Sequence, residues 1–200
     1  MNTKEKILEA SLNLFSKKGY DGVGIDEIAT EVGIKGPSIY RYFKSKDEIL
    51  NSVIEMVDQE YITNVEHYSS NKEFNITSLD EFKKNSMKYI DYTLHNERII
   101  KARKLIVIEQ FRNKKISDIA TKHFITLPSK IYEDIFTCLI NQNLIVNDNH
   151  KNLAFEFATP ISMLIQTCDR EPEQEKDIIT MIINHIDYFI KIHKVKKQGE

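Results

Sequence analysis

The apolar positions of this 200-residue chain recur at helical spacing almost throughout. Ile7, Ala10 and Leu14, with Leu8, Leu12 and Phe15 beside them, fall three and four residues apart, and so do Ile49, Val53 and Val57 with Leu50, Ile54 and Tyr61. Near the end, Ile178, Ile182, Ile186 and Phe189 form one stripe, and Ile179, Ile183 and Ile190 an adjoining one. The chain holds 30 isoleucines, which by propensity favour strands, yet clear period-two alternation is hard to find. Spacing outweighs composition, and the chain reads as all-α.

Capping chemistry predicts where the helices begin and end. Thr3 is placed to cap a first helix that ends near Lys18 and Gly19. A short helix over 26–32 stops at Gly33, and another over 37–43 carries Pro37 in its first turn, where a missing N–H costs nothing. Ser45 with Glu48, and Ser78 with Glu81, have capping-box spacing; they open helices towards Tyr68 and His95, separated by a polar loop at Ser69–Glu73. Further helices are predicted over 97–112, 117–142 (broken or kinked near Pro128), 149–168 with a kink at Pro160, and 172–194. That makes about nine.

Glycine is distributed unevenly. Five of the six, Gly19, Gly22, Gly24, Gly33 and Gly36, fall within residues 19–36, and none occurs between residue 37 and Gly199. One short N-terminal region therefore changes direction repeatedly, while the rest suits long helices. Within that region, residues 24–43 read as two short helices joined by a glycine-containing turn, the spacing of a helix-turn-helix. Ile25, Ile28, Ala29 and Val32 face inward from the first, and Ile39 and Phe43 from the second. Lys35, Ser38, Tyr40, Arg41 and Tyr42 are left outward, with Gly36 and Pro37 at the tip.

Charge changes the picture only when taken locally. The chain's formal net charge of −2 argues mildly against a nucleic-acid partner, and residues 1–50 balance eight basic against eight acidic side chains. From Gly33 to Lys46, however, Lys35, Arg41, Lys44 and Lys46 meet no acid. Phosphate contact needs such a pattern, with a recognition helix presenting side chains to base edges in the major groove.

Two stretches, ILEASLNLFSKKGYDGVGIDEIA and VGIKGPSIYRYFKSKDEIL, make residues 3–50 resemble the DNA-binding domain of the TetR family of bacterial transcriptional regulators. The resemblance implies a three-helix helix-turn-helix domain at 1–47, followed by a larger helical domain at 48–200 that binds a small ligand and forms a homodimer. By motif position it implies that Lys35, Gly36, Pro37, Ser38, Tyr40 and Tyr42 meet the groove and backbone, and that Lys46 contacts phosphate. Ile25, Arg41 and Lys44 complete the candidate DNA-binding set. Where the family commonly caps its second helix with Thr or Ser this chain has Gly24, and where the third opens with Ser or Thr it has Lys35 or Gly36. A homodimer of such heads places its recognition helices about 34–36 Å apart, or a multiple of that, and implies an inverted-repeat operator on double-stranded DNA.

The rest of the chain says less. Helices 149–168 and 172–194 are apolar around more of their circumference than a one-sided helix needs, which suits a homodimer built as an intermolecular four-helix bundle. Candidate ligand-lining residues are Tyr89, Tyr92, Arg103, Lys104, Ile108, Phe111, Phe136, Met163 and Gln166. Arg103 and Lys104 sit among apolar neighbours and point to an anionic or amphipathic effector. The stretch 97–115 carries seven basic and two acidic residues, which suits a solvated face or an acidic partner at least as well as DNA. The lysines at 191, 194, 196 and 197 suit a soluble helix end.

Catalysis finds little support. The six histidines form no local metal-binding spacing, no glycine-rich phosphate loop follows a strand, and Cys138 and Cys168 suit small core positions better than nucleophiles. No cofactor is implied. No stretch approaches the roughly 18–20 apolar residues of a membrane span, and the start, with no secretory signal visible, fits a cytoplasmic protein. The expectation is a ligand-responsive DNA-binding regulator, most simply a repressor. The alternative is a helical adaptor working through protein contacts, its head no longer binding DNA.

Overall fold

The structure, a computed structural model, describes residues 1–69 and 76–196, with side chains described for 1–63 and 76–196. The loop expected at 69–73 lies outside the described residues beyond Ser69, as do Lys197, Gly199 and the side chain of His67. Among the described residues the helices are α1 (Thr3–Lys18), α2 (Ile25–Val32), α3 (Gly36–Ile39), α4 (Lys46–Ser69), α5 (Leu79–His95), α6 (Glu97–Glu109), α7 (Lys114–Thr121), α8 (Leu127–Asn141), α9 (His150–Arg170) and α10 (Glu175–His193). A widened π turn, Lys122–Thr126, joins α7 to α8, so that these three pieces form one run. No strand is present among the described residues, only an isolated antiparallel bridge between Ile145 and Lys194. The all-α expectation holds.

These elements divide into two compact units, Met1–Ile62 with Glu97–Ala120, and Thr63–Asn96 with Thr121–Glu200. In the first, α1 packs on α2 and on α6, and α2 on α3. Its apolar residues include Ile7, Leu12, Phe15, Ile28, Ile39 and Ile49, all fully buried.

Local chemistry sets the ends of these helices. Asn2, not Thr3, caps α1. Its side-chain oxygen accepts the Glu5 amide at 3.0 Å, and the Glu5 carboxylate accepts the Asn2 amide at 2.9 Å. Thr3 already lies within the helix, and Asn is among the strongest capping residues. Gly33 ends α2 in the left-handed region, φ 77°, while the Ile34 amide reaches back to the Ala29 carbonyl at 2.9 Å. Both capping boxes form in a shifted version. Ser45 and Ser78 accept the amides of Glu48 and Glu81, but each glutamate reaches back one residue further, to the amides of Lys44 and Thr77.

Three of the predicted boundaries move. The helix expected over 37–43 is regular only over Gly36–Ile39 and continues as tight turns, and the one expected over 97–112 is regular to Glu109. The helix expected over 117–142 begins at Lys114. Pro128 acts as foreseen, but the irregularity precedes it. Proline has no N–H, and its ring crowds the carbonyl four residues back, so the Leu127 amide bonds the Lys122 carbonyl instead.

The second unit is built on aromatic rings. Phe82, Tyr132, Phe136, Phe157 and Phe189 are buried, with neighbouring centroids 4.5 to 6.0 Å apart. Burial holds the Tyr132 phenol proton on well above the usual range, and the buried Ser86 side chain bonds its hydroxyl. α8 packs on α9, and α9 on α10. α9 runs through Pro160 as a helix, and His185 on α10 has Nε2 3.1 Å from the Phe157 carbonyl, three residues before that proline. A carbonyl can only accept, so this nitrogen carries the proton. Asn143, at φ 57°, turns the chain out of α8, and the strand-like contact of 144–146 with 193–195 ties the loop to the end of α10.

Two predictions follow from these local contacts. A Cβ at Gly22 would stand 2.5 Å from the Lys18 carbonyl oxygen, whereas one at Gly24 would meet nothing within 4 Å. Gly22→Ala should therefore cost about 1–3 kcal/mol in urea unfolding, while Gly24→Ser, which supplies a capping hydroxyl to α2, should be neutral or slightly stabilising. His95, exposed at the end of α5, has its pKa raised by its bond to Glu175 at 3.2 Å. The pair's contribution to stability is complete below the unfolded histidine pKa of about 6.5 and is lost as pH rises through the raised folded value. The melting temperatures of wild type and His95→Leu should thus differ most near pH 6 and converge in mildly alkaline buffer.

Candidate nucleic-acid interface

The sequence from Gly33 to Lys46 folds into a small outward tip. Ile39 and Phe43 are buried and hold it by one side, as Ile28 and Ala29 hold α2. Lys35, at the cap of α3, and Pro37 are exposed; Gly36, Ser38 and Ile25 are half-buried. Tyr40 is 58% exposed and Tyr42 37%, with Arg41 and Lys44 exposed beside them. These rings and cations lie at and beyond the end of α3, on the turns closed by the Tyr42 and Phe43 amides onto the Ile39 carbonyl. The structure thus brings Lys35, Pro37, Tyr40, Arg41, Tyr42 and Lys44 to one exposed segment.

Lys46 is placed differently. Its ammonium donates to the carbonyls of Tyr20 and Val23, each at 3.0 Å, and lies 4.1 Å from the centre of the Tyr20 ring. Tyr20 is the hub of this corner. Its amide donates to Glu109 Oε1 at 2.8 Å, and its hydroxyl donates to Asp47 Oδ1 at 2.6 Å. Burial and that carboxylate together hold its phenol proton on well above the usual range. Glu109 itself is buried on α6, and a Cβ at Gly19, where φ is +69°, would come within 2.9 Å of it. Neither Tyr20 nor Glu109 stood out from the sequence. The available signals were an aromatic ring inside the glycine-rich turn and a single acid among apolar and basic neighbours.

The balanced charge of the head is separated in space. Arg98 bonds Glu9 at 2.6 Å and Glu60 at 3.0 Å, Arg112 faces Asp21 at 3.6 Å, and Lys115 bonds Glu55 at 2.9 Å. Lys101 and Lys114 pair within their own helices with Glu97 and Asp118. Much of the basic stretch 97–115 is therefore occupied by acids of its own unit. Lys35, Arg41 and Lys44 make no ion pair among the described residues. One acid does approach the tip: Asp26 lies so close to Gly36 that a Cβ there would stand 2.0 Å from its Oδ1. The linear sequence, counting only 33–46, misses it.

The residues suggested for an effector fall in both units. Arg103 is buried and engaged, Lys104 half-buried, Ile108 39% and Phe111 91% exposed, all in the first. In the second, Phe136 is wholly buried in the aromatic cluster, Tyr89, Tyr92 and Gln166 are half-buried, and Met163 is 56% exposed. Among the described residues no three His, Cys, Asp or Glu side chains gather as a metal site, and no helix is long and apolar enough to cross a membrane.

Comparison with known proteins bears on this geometry. Residues 7–53 match the family described as bacterial regulatory proteins, tetR family. The negative transcriptional regulator IcaR of the biofilm operon icaADBC in Staphylococcus aureus is 38% identical over 80 residues, which are 40% of this chain and 42% of that protein. The chain is thus matched over less than half the length of this relative. Among solved structures, a TetR transcription regulator from Haloarcula marismortui superposes with a TM-score of 0.74 at 12% identity, over 96% of this chain and 98% of that one. SmeT, the repressor of the Stenotrophomonas maltophilia multidrug efflux pump SmeDEF, does so with 0.69 at 16% identity, over 100% and 93%. At such identities the structures speak for the fold alone. Residues 7–53 are thus similar to the DNA-binding part of the tetR family of bacterial regulatory proteins, and the all-helical fold that carries them is the fold of solved regulators of that family.

Proposed function

We propose that this chain is a homodimeric transcriptional repressor that binds an inverted-repeat operator and is released by a small-molecule effector. The observation that carries the reading is the exposed tip of Tyr40 and Tyr42 among Lys35, Arg41 and Lys44, cations that no acid neutralises by pairing. Such groups neutralise phosphates and reach base edges, with Gly36, Pro37 and Ser38 letting the backbone approach and Ile25 flanking the tip. Repression is what the names of IcaR and SmeT describe for those proteins, and SmeT is also known in complex with triclosan. In this reading the head at 1–47 contacts DNA, the domain at 48–200 takes the effector, and both act in the cytoplasm.

The homodimer rests on the last two helices. Phe155 and Met163 on α9 stand more than half exposed, eight residues apart and so near one helical face. Met181, Tyr188 and Ile192 on α10, 55%, 62% and 44% exposed, share a stripe in the same way. Large apolar side chains grouped on adjoining helices mark an association surface, and a second copy of the same pair completes a four-helix bundle.

DNA binding is tested by fluorescence anisotropy with the duplex upstream of the chain's own gene against a scrambled duplex, across a salt series. The affinity should favour the former and fall with salt. Lys44→Ala should reduce the slope of log K against log salt by about 1.8, at about 0.9 for each of two phosphate contacts in a homodimer. Equal affinity for both duplexes would reject the operator; no binding would leave the adaptor reading. For the interface, Tyr188→Glu with Met181→Glu should sediment as a monomer where the wild type sediments as a dimer.

A further inference from the structure

We propose that Asp26 is a specificity-determining residue of the DNA interface, its carboxylate accepting a hydrogen bond from the amino group of a cytosine in the major groove. The inference rests on the DNA-binding reading and gives a role within it to the one acid at the tip. Gly36, the first residue of α3, has no side chain to offer a base. A Cβ at that position would stand 2.0 Å from Asp26 Oδ1, so the carboxylate occupies the space in which a side chain of residue 36 would begin. Asp26 reaches that space from the first turn of α2. The residue is exposed, and among the described residues its carboxylate forms no ion pair and no hydrogen bond.

Local roles do not account for this placement. An acid in the first turn suits the positive end of a helix, and Glu27 supplies one to α2 while pairing with Lys18 at 2.5 Å. Asp26 does not cap α3, whose second residue, Pro37, has no N–H to give. Nor does it help with phosphate, since it subtracts charge from the tip that carries Lys35, Arg41 and Lys44. What an ionised carboxylate can do in a groove is accept. On the major-groove edge guanine shows only acceptors, and thymine an acceptor and a methyl group. Adenine sets its N6 donor beside the N7 acceptor, which a carboxylate cannot satisfy. Cytosine shows the N4 donor alone, and this is the base edge that matches Asp26.

The test changes the base pairs of the upstream duplex one at a time and measures, by anisotropy, the affinity of the wild-type chain, Asp26→Ala, Asp26→Asn and Gly36→Ala for each. At one C·G pair in each half-site the wild type should favour cytosine about tenfold over the other bases. Asp26→Ala should lose that preference and keep those at the other pairs. An amide carries a donor beside its acceptor and suits adenine N7 and N6, so Asp26→Asn should move the preference at the same pair from cytosine to adenine. In Gly36→Ala the added Cβ displaces the carboxylate, so the same preference should be lost, and adding Gly36→Ala to Asp26→Ala should change nothing further. Wild-type preferences retained at every pair in both Asp26 variants would overturn the proposal. So would a uniform loss of affinity that leaves each preference in place, the mark of a merely structural role. Should the wild type bind the upstream duplex no better than the scrambled one, the operator reading fails first, and the role of Asp26 fails with it.

Discussion

A helix of one turn cannot hold itself. Nucleating a helix fixes several residues for its first hydrogen bond, and isolated helices shorter than about 12–15 residues are marginal in water even with favourable sequences. α3 has four residues and opens with Gly36 and Pro37, so its place is imposed from outside. Ile39 and Phe43 impose it by burial, which anchors one side and leaves Lys35, Tyr40, Arg41 and Tyr42 on the other. The glycine-rich turn imposes it again, through Tyr20. One residue there binds the start of α4 by its carbonyl and hydroxyl and α6 by its amide, so a two-helix reading head becomes a fixed part of a larger unit.

That anchoring also sorts the charges. Exposed ion pairs each contribute little to stability, a median near 0–1 kcal/mol. Their effect here is directional. Glu9 and Asp21 lie against Arg98 and Arg112, and Asp47 and Glu48 are taken up by Tyr20 and the Lys44 amide. At the tip, Lys35, Arg41 and Lys44 are then left unpaired beside two exposed rings, with Asp26 the one acid near them. A head whose charges cancel over residues 1–50 therefore presents a positive tip, and Arg98, Arg112 and Lys115 of the basic stretch 97–115 contribute to this by pairing with Glu9, Glu60, Asp21 and Glu55.

Much of this was legible in the sequence because the relevant forces are local. Helical period, the two Ser–Glu boxes and Gly33 act within a few residues, and each helix they mark is present. Tertiary geometry was not legible. The approach of Asp26 to Gly36 depends on how α2 crosses α3, and the inward course of Lys46 depends on carbonyls 23 and 26 residues away. Sequence distance hid Glu109 most completely, since its partner Tyr20 lies 89 residues earlier. Arg103 and Phe111 show the same limit in opposite directions: both sit in one amphipathic stretch, yet one is 6% and the other 91% exposed.

The charge at the tip bears on why the chain should pair with itself. Lys35, Arg41 and Lys44 are three unpaired cations, and Asp26 stands near them. Non-specific and specific binding alike draw on the number of phosphates neutralised, and a protein making about 6–10 such contacts has a strongly salt-dependent affinity. Three per head fall short of that range; six reach its lower end. Linking two heads in one particle makes the second engagement intramolecular, which raises affinity without any new contact within a half-site. In the proposed homodimer, the apolar stripes on α9 and α10 would supply a linkage whose symmetry matches the proposed inverted repeat. In the proposed repressor, the surface that would pair two copies and the surface that would meet DNA are parts of one requirement, because a tip so small needs a second tip beside it.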